Sequence, residues 1–210
     1  MADAEIELMP HEIAGHPAVR ATAKRRGKRP NQLLLDASLH HTAMRGLPGA
    51  ERRGRPDIAH FCLLLALDSI PCRRGQLRTY VHTRNNIVIE FSPETRLPKN
   101  YNRFTGLMEE VLLKGKVEAD GKVLISTREM MLKDLLLGRE GPVYLLDETG
   151  RRVKSLRRNS GQAVFVVGGF PHGSFISDLS DVKMQRISLS EERLMAWSVV
   201  SLILSSLISQ

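Results

Sequence analysis

The stretch Val166-Val167-Gly168-Gly169-Phe170-Pro171-His172-Gly173 decides how this chain is expected to fold. Residues 163–167 are continuously apolar, which is typical of a strand buried on both faces of a parallel sheet. A glycine-rich turn follows directly. Ligands of open α/β sheets bind at the carboxyl ends of strands, and glycines let backbone amides come close to them. The stretch therefore predicts a ligand-binding turn, with a plain tight turn as the alternative.

Apolar and β-branched runs elsewhere predict the rest of a sheet. Buried strands are expected at residues 33–36 and 143–146, and a hairpin or two neighbouring strands at residues 77–83 and 87–91. Start signals and apolar periodicity predict helices at residues 5–13, 58–67, 104–113, 126–137 and 193–208. The fourth of these helices rests on a capping box formed by Ser126 and Glu129. Alternating strands and helices are typical of an α/β fold with a mainly parallel sheet.

The chain divides by charge into an N-terminal basic segment, residues 1–30, and a folded domain, residues 31–210. The segment contains Lys24-Arg25-Arg26-Gly27-Lys28-Arg29, and regular structure is expected to begin at Gln32. Such a run is either a solvated, mobile segment or an arm that contacts phosphate, and the sequence favours neither.

Composition narrows the cellular setting. With 31 Lys+Arg against 23 Asp+Glu, the chain is expected to attract a polyanion, either nucleic acid or an anionic membrane. Its two cysteines are too few for a disulfide framework, and Asp3 and Glu5 argue against a signal peptide, so we expect a cytoplasmic protein. The longest uncharged apolar stretch, residues 194–209, is shorter than the ~20 residues of a membrane span, so no membrane partner is expected.

Arg55-Pro56-Asp57 is a second candidate for chemistry. Proline favours an extended residue before it, and residues two apart in an extended segment point the same way. Arg55 and Asp57 are therefore expected to face one site, where the arginine holds a phosphate bidentately. The alternative is that Asp57 only stabilises the start of the following helix.

A third candidate is the proline-containing stretch of residues 93–104, which is expected to be an exposed loop. Arg96, Lys99 and Arg103 would share one face if the stretch were helical, and Tyr101 and Phe104 are placed to stack on bases. A merely solvated basic face is the alternative. The seven histidines show no ligand spacing, so we expect no metal and interpret them as structural or RNA-facing.

Taken together in this order, these segments resemble the pseudouridine-N1-specific rRNA methyltransferases of the SPOUT superfamily, the family called nucleolar essential protein or essential for mitotic growth. The short connections resemble archaeal members. The matching segments are Leu35-Asp36-Ala37-Ser38-Leu39-His40, Arg53-Gly54-Arg55-Pro56-Asp57-Ile58, Leu67-Asp68-Ser69, Pro93-Glu94-Thr95-Arg96-Leu97-Pro98, Arg103-Phe104-Thr105-Gly106-Leu107-Met108, Gly168-Gly169-Phe170-Pro171-His172-Gly173 and Leu194-Met195-Ala196-Trp197.

The resemblance implies a SPOUT fold with a C-terminal trefoil knot, S-adenosyl-L-methionine as cofactor, and a homodimer that binds small-subunit rRNA, with small-subunit ribosomal proteins as further partners. The family's RNA-contacting positions correspond to Arg55, Asp57, Arg96, Lys99 and Arg103; Lys99 replaces a common arginine and so lacks its bidentate fork. The positions implied to bind the cofactor are Leu146, Asp147, Gly168, Gly169, Gly173, Ser174, Phe175, Ile187, Ser188, Leu189, Ser190, Glu191 and Glu192.

The implied reaction is transfer of a methyl group to N1 of a pseudouridine during ribosome biogenesis. Our hypothesis is that Asp57 polarises a flipped base while Arg55 fixes the backbone, and the sequence leaves open whether Asp57 is a general base. One rival is an RNA-binding assembly factor with secondary or no methyltransferase activity. Another is a tRNA or 2′-O-ribose methyltransferase of the same superfamily, which would not explain residues 55–57 and 94–98 together.

Overall fold

The computed structural model describes residues 1–153, 156 and 162–208. The other residues of the predicted domain lie outside this description, including Ser209 at the end of the apolar stretch. No helix among the described residues has the length and apolar character to cross a membrane. The helices are α1 Pro17–Arg26, α2 Ala37–Met44, α3 Pro56–Leu67, α4 Ile70–Arg73, α5 Tyr101–Lys114, α6 Leu132–Leu137 and α7 Ala196–Ile208, with short 3-10 helices at His11–Ile13 and Pro30–Gln32.

The larger sheet is antiparallel. β1 (Thr79–His82) and β2 (Ile87–Phe91) form the predicted hairpin, and β4 (Lys122–Glu129) and β3 (Lys116–Ala119) complete the order β1-β2-β4-β3. Apolar residues of α3 and α5 pack with the inward side chains of β2 and β4 in one buried cluster. This packing places the start of α3, which carries Arg55 and Asp57, beside the start of α5, which carries Arg103.

The smaller sheet is parallel and has the order β6-β5-β7. Its strands are β5 (Val143–Arg152), β6 (Val164–Val166) and β7 (Met184–Ser188), and α7 packs against their buried residues. The predicted α/β class with a parallel sheet is confirmed, but the larger of the two described sheets is antiparallel, so the expectation of a mainly parallel sheet is corrected. The reason is that antiparallel neighbours need only short turns, as between β1 and β2, whereas parallel neighbours need long crossovers.

Residues 1–8 run between the two sheets, with a bend at Asp3, where φ is 49°. The Ala2 N–H donates to the Val167 carbonyl (2.9 Å), and the Ala4 N–H donates to the His82 carbonyl (2.8 Å). Both contacts are parallel bridges, so the segment joins β6 to β1. The helix predicted at residues 5–13 is therefore wrong apart from the 3-10 turn at its end.

The helix prediction failed because two of its apparently solvent-facing acids are buried. Glu5 accepts from Arg52 Nε and Arg84 Nη1, each at 2.7 Å, and Glu7 accepts two bonds of 2.7 Å from Arg53. Buried carboxylates persist in proteins when charge-assisted hydrogen bonds satisfy them. The three arginines lie far along the chain, so no local pattern announces them.

Two further predictions are corrected. The strand expected at residues 33–36 is reduced to one bridge between Leu34 and Leu8, and Asp36 instead caps α2 by accepting from the Ser38 N–H (2.9 Å). The helix expected from Ser126 is strand β4 up to residue 129, and α6 begins only at residue 132. Pairing of the β-branched residues of β4 with β2 outweighs a four-residue capping signal.

Regular structure begins well before Gln32, because α1 packs on the domain through its basic C-terminal end. The Glu109 carboxylate of α5 is fully buried and accepts from Arg26 and Lys28, each at 2.6 Å, and from the Leu34 N–H at 3.1 Å. Two members of the basic run are therefore partly neutralised by one acidic residue of the core.

We expect Glu109→Gln to lower the free energy of unfolding by about 2 kcal/mol, because a neutral amide cannot compensate two cations held at a buried position. The matched control is Glu110→Gln, which removes an exposed pair with Lys114 one residue away and should change stability by less than about 0.5 kcal/mol. Urea denaturation of both variants measures the difference, and equal stabilities would contradict the importance of the buried pair.

Candidate active site

The three parallel strands end side by side. Their register pairs Leu146 of β5 with Ile187 of β7, and Leu145 of β5 with Val166 of β6. Because parallel strands share the direction of their carboxyl ends, the loops that follow them converge at one edge of the sheet. We call this edge, beyond Leu146, Val166 and Ile187, the carboxyl edge.

A bulge of residues 147–150 forms the first wall of the carboxyl edge. β5 interrupts its pairing with β7 between Leu146 and Arg151. At Gly150 the backbone lies so close to β7 that a Cβ would stand 2.6 Å from the Ile187 nitrogen, which only glycine avoids. Asp147 turns its Oδ1 back onto the bulge and accepts from a backbone N–H and a hydroxyl, both at 2.8 Å.

The loop after β7 forms the second wall. Ser188 donates its hydroxyl to the Ser190 carbonyl (2.7 Å), and the Glu192 N–H donates to the Ser190 hydroxyl (3.0 Å). Arg193 then reaches across to the bulge and donates two bonds to Glu148, at 2.6 and 2.7 Å. The Arg193 guanidinium holds the pKa of Glu148 below its usual range. This fork ties the two loops together.

The loop after β6 contains the predicted glycines, and the structure treats the two differently. Gly169 is buried: its N–H donates to the Ala2 carbonyl (2.8 Å), and its carbonyl accepts from the Glu5 N–H (3.1 Å). A Cβ at Gly169 would stand 2.6 Å from the Ala4 Cα. Gly169 is therefore packed against the N-terminal segment and does not face the carboxyl edge.

Gly168 is only half-buried, and a Cβ there would meet the flexible ring of Phe170 at 2.8 Å rather than any backbone. Backbone groups alternate in direction along an extended segment. Since the neighbouring Val167 carbonyl and Gly169 N–H both point to the N-terminal segment, those of Gly168 point to the other side, where the bulge after β5 begins.

Gly173, Ser174 and Phe175 lie further along the same loop, which Arg52 holds, and Phe175 packs against the buried cluster that contains Leu145 and Val166. Arg52 Nη1 donates to the Ser174 carbonyl (3.0 Å), and the guanidinium lies 4.5 Å from the centroid of the Phe170 ring. That ring meets Phe175 edge-on with centroids 5.2 Å apart. Gly173 adopts a left-handed conformation with φ of 85°. Of the predicted cofactor positions, the structure brings together Leu146, Asp147, Gly168, Ile187, Ser188, Leu189, Ser190, Glu191 and Glu192.

The floor of the carboxyl edge is apolar. Leu146, Val167 and Ile187 are buried there in one cluster with α7, and Leu189 and Trp197 are partly buried against it. An apolar floor with polar backbone around it is typical of a small-ligand site. Among the described residues, no three His, Cys, Asp or Glu side chains are grouped to hold a metal ion.

A large cavity lies elsewhere. It has a volume of about 1140 Å³, extends between β1 and β6 beside Met1, and is walled mostly by aliphatic side chains of α3, α6 and α7. None of the predicted cofactor positions lines this cavity.

Arg55 and Asp57 stand together at the start of α3, as the sequence predicts. Arg55 donates from Nε to Asp57 Oδ1 (2.8 Å) and from Nη2 to Oδ2 (2.7 Å), and each side chain is about one-third exposed. This bidentate hydrogen bond raises the pKa of Arg55. Asp57 also lies in the first turn of α3, where an acidic residue favours the helix start, and the phosphate contact of Arg55 stays a prediction.

Arg96, Lys99 and Arg103 are all exposed. Arg96 and Lys99 lie in a loop and only Arg103 lies in a helix, so the condition for one shared helical face is not met. The loop before α5 runs along α3 instead, where His60 Nε2 contacts the Pro98 carbonyl (2.8 Å). α3 extends over roughly 18 Å, so the three cations are spread along it. We call this surface of Arg55, Arg96, Lys99 and Arg103 the basic ridge.

Sequence reasoning missed the bond that connects α5 to α2. The Tyr101 hydroxyl donates to Asp36 Oδ2 (2.7 Å), and burial followed by this bond raises the pKa of Tyr101. Asp36 followed by Ser38 is a local capping signal that identifies the aspartate as the start of a helix. Nothing local links residue 36 to residue 101, so the pairing itself needs the fold.

A parallel sheet with helices packed against it places this molecule among the α/β proteins, and comparison with known proteins places it among the methyltransferases. The family model described as EMG1/NEP1 methyltransferase matches residues 1–207, and the chain belongs to that family.

Relatives agree over almost the whole chain. The chain is 48% identical over 208 residues to the ribosomal RNA small subunit methyltransferase Nep1 of Methanothrix thermoacetophila, covering 97% of this chain and 92% of the relative. It is 47% identical over 211 residues to the protein of the same name from Thermococcus sibiricus, covering 97% and 94%. The crystal structure of Archaeoglobus fulgidus Nep1 bound to S-adenosylhomocysteine superposes with a TM-score of 0.88 at 42% identity, over 98% of this chain and 94% of that one.

We expect Gly169→Ala to lower the free energy of unfolding by about 1–3 kcal/mol, because its Cβ would displace the backbone of the N-terminal segment. The matched control is Gly46→Ala, where a Cβ meets nothing within 4 Å and stability should change by less than about 0.5 kcal/mol. Thermal unfolding compares the two variants. A Gly169→Ala variant as stable as the control would restore Gly169 as a residue kept for a ligand.

Proposed function

We propose that this protein transfers a methyl group from S-adenosyl-L-methionine to N1 of a pseudouridine in small-subunit rRNA during ribosome biogenesis. The observation that carries the proposal is the near-complete structural match to a Nep1 bound to S-adenosylhomocysteine, the product of such a transfer. The basic ridge beside a loop-walled edge supports RNA as the second substrate.

The carboxyl edge fits the cofactor. Gly150 lets the bulge after β5 lie against β7, and Gly168 has no side chain at the end of β6, so main-chain groups of these loops can bind an adenine or ribose. The apolar floor of Leu146 and Ile187 suits the adenine ring. The carboxylates at this edge, including exposed Glu192, suit the cations that the cofactor carries.

S-adenosyl-L-methionine supplies an electrophilic methyl group on its sulfonium, so the chain's task is to deliver a nucleophilic nitrogen in line with it. Pseudouridine has an N1–H that uridine lacks, and the base must leave its stack to reach the site. The fork from Arg55 engages both oxygens of Asp57, so we assign Asp57 the positioning of Arg55 rather than removal of the N1 proton. Arg55 keeps its Nη1 donors for a phosphate or base oxygen.

Several features of the resemblance belong to this proposal. We propose a C-terminal trefoil knot, and the position of β5 between the two later strands, with its bulge tied to Arg193, is compatible with it. A homodimer is supported by exposed apolar side chains on the adjacent helices α3 and α7, among them Phe61 (51% exposed) and Leu202 (45%). We also propose cytoplasmic action and contact with small-subunit ribosomal proteins.

The decisive experiment incubates the protein with labelled S-adenosyl-L-methionine and two RNA stem-loops that differ only in pseudouridine against uridine, and then analyses the nucleosides by mass spectrometry. We expect methyl incorporation into the pseudouridine RNA alone, because the N1 of uridine is bonded to the sugar. Binding should differ much less, since phosphate contacts ignore the base. Equal incorporation would exclude the N1 assignment, and tight binding with no incorporation would favour the assembly-factor alternative.

We expect Arg55→Ala to weaken RNA binding roughly tenfold, the effect of one charge-assisted hydrogen bond, without changing cofactor affinity. Asp57→Asn should act in the same direction but less strongly, because it loosens the Arg55 fork and leaves the cation. Lys114→Ala, at the far end of α5, is the control of equal charge. Filter binding measures all three, and an Arg55→Ala variant that binds like the control would remove Arg55 from the RNA site.

A further inference from the structure

A second pocket lies between α1, α2 and the start of α5. It has a volume of about 520 Å³, and its polar lining includes Arg25, Arg26, Asp36, His40 and Asn102. It is distinct from the carboxyl edge, since none of the predicted cofactor positions lines it. The pocket also contains part of the basic run of residues 24–29, which the proposed chemistry does not use.

One buried donor in this pocket has no partner. His40 is 1% exposed, and its Nδ1 accepts from the Asp36 N–H (3.1 Å). An acceptor Nδ1 places the proton of the neutral ring on Nε2. Among the described residues nothing accepts from His40 Nε2, although buried donors are normally paired because an unpaired one is costly. His40 is one of the residues that line the pocket, so we take this N–H as the candidate donor to a ligand there.

The charges around His40 favour a ligand with negatively charged oxygens. Arg26 spends Nη1 on Glu109 (2.6 Å) and retains its other donors, while Arg25 is exposed at the rim. The one carboxylate in the lining, Asp36, is satisfied at both oxygens by donors from α2 and α5. Burial lowers the pKa of His40, with the attraction of Asp36 opposing and Arg26 adding to the shift, so the ring stays a neutral donor near pH 7.

The pocket adjoins the basic ridge. Asn102 in the pocket precedes Arg103 of the ridge in the first turn of α5. The preceding residue, Tyr101, is bonded to Asp36 and is close enough to Arg55 and Asp57 for their charges to influence its ionisation. A single RNA strand laid along the ridge therefore passes the mouth of the pocket.

We propose that this pocket binds a backbone phosphate of the rRNA strand that the basic ridge holds, with His40 Nε2–H, Arg25 and Asn102 as donors. The proposal rests on the proposed function in taking RNA as the ligand. It adds a site at α1 and α2 that anchors the strand away from the methylated base. Most protein contacts with nucleic acid go to phosphates and fix the register of the strand, which is the role assigned here.

The first test replaces Arg25 by Ala and compares the variant with Arg20→Ala, which removes the same charge from an exposed position of the same helix outside the pocket. Affinity for the pseudouridine stem-loop is measured by filter binding over a range of salt concentrations. We expect Arg25→Ala to bind roughly tenfold more weakly and to lose about 0.7 from the log–log salt slope, against little change for Arg20→Ala. Equal behaviour of the two variants would overturn the proposal.

The second test separates His40 from general charge. In His40→Asn the shorter amide keeps an acceptor near the Asp36 N–H but removes the donor that reaches the pocket. In His40→Gln the longer amide returns a donor close to the position of Nε2. We expect RNA affinity to fall several-fold in the first variant and to be partly restored in the second, with folding checked by circular dichroism. Equal affinities of both folded variants and the wild type would exclude His40 as a donor.

These outcomes are distinct from those of the proposed function. Wild-type affinity in the Arg25 and His40 variants, with methyl transfer to pseudouridine intact, would reject the pocket and leave the function standing. If the wild-type protein binds none of the stem-loops, both proposals fall.

Discussion

The pairing of the N-terminal segment with both sheets is the constraint on which the rest of the structure depends. Glu5 and Glu7 are buried within it, and a buried carboxylate is tolerated only where cations and hydrogen bonds replace its water. Arg52 and Arg53 supply these from the loop before α3, and Arg84 from the hairpin turn. The geometry of such charge-assisted bonds is demanding, so the network fixes how β6 and β1 stand relative to each other.

The same network reaches the candidate active site through Arg52. This side chain binds Glu5, stacks on Phe170 and donates to the Ser174 carbonyl, so it connects the loop after β6 to the N-terminal segment. Gly169 seals the contact by approaching the N-terminal segment without a Cβ. Gly168 is thereby left facing the carboxyl edge. The orientation of the glycine-containing turn after β6 is thus set by residues more than a hundred positions away in the sequence.

Local signals in the sequence correctly predicted the elements that depend on short-range interactions. The apolar run before Gly168, the hairpin around Arg84 and the proline at the start of α3 are short-range features, and the structure has β6, the β1-β2 pair and α3 at those places. The helix prediction for residues 5–13 was wrong because the arginine partners of Glu5 lie 47 and 79 positions away in the sequence. The helix predicted to begin at Ser126 was wrong because the pairing of β4 with β2 outweighs the capping signal. The loops of the candidate site were located through the resemblance, whereas the different roles of Gly168 and Gly169 required the packing of the N-terminal segment.

Within the basic ridge, Arg55 and the other three cations have different parts in the proposed RNA recognition. Arg96, Lys99 and Arg103 are exposed, so ordering them on a phosphate loses side-chain entropy, and what they add is long-range attraction that ignores the base. Arg55 is already held by the fork to Asp57, so it loses less freedom when a nucleotide arrives. A preorganised donor is also more sensitive to where the ligand atoms lie. In the proposed function, attraction to RNA is therefore assigned to the exposed cations, and selection of the nucleotide presented for methylation is assigned to the Arg55–Asp57 pair.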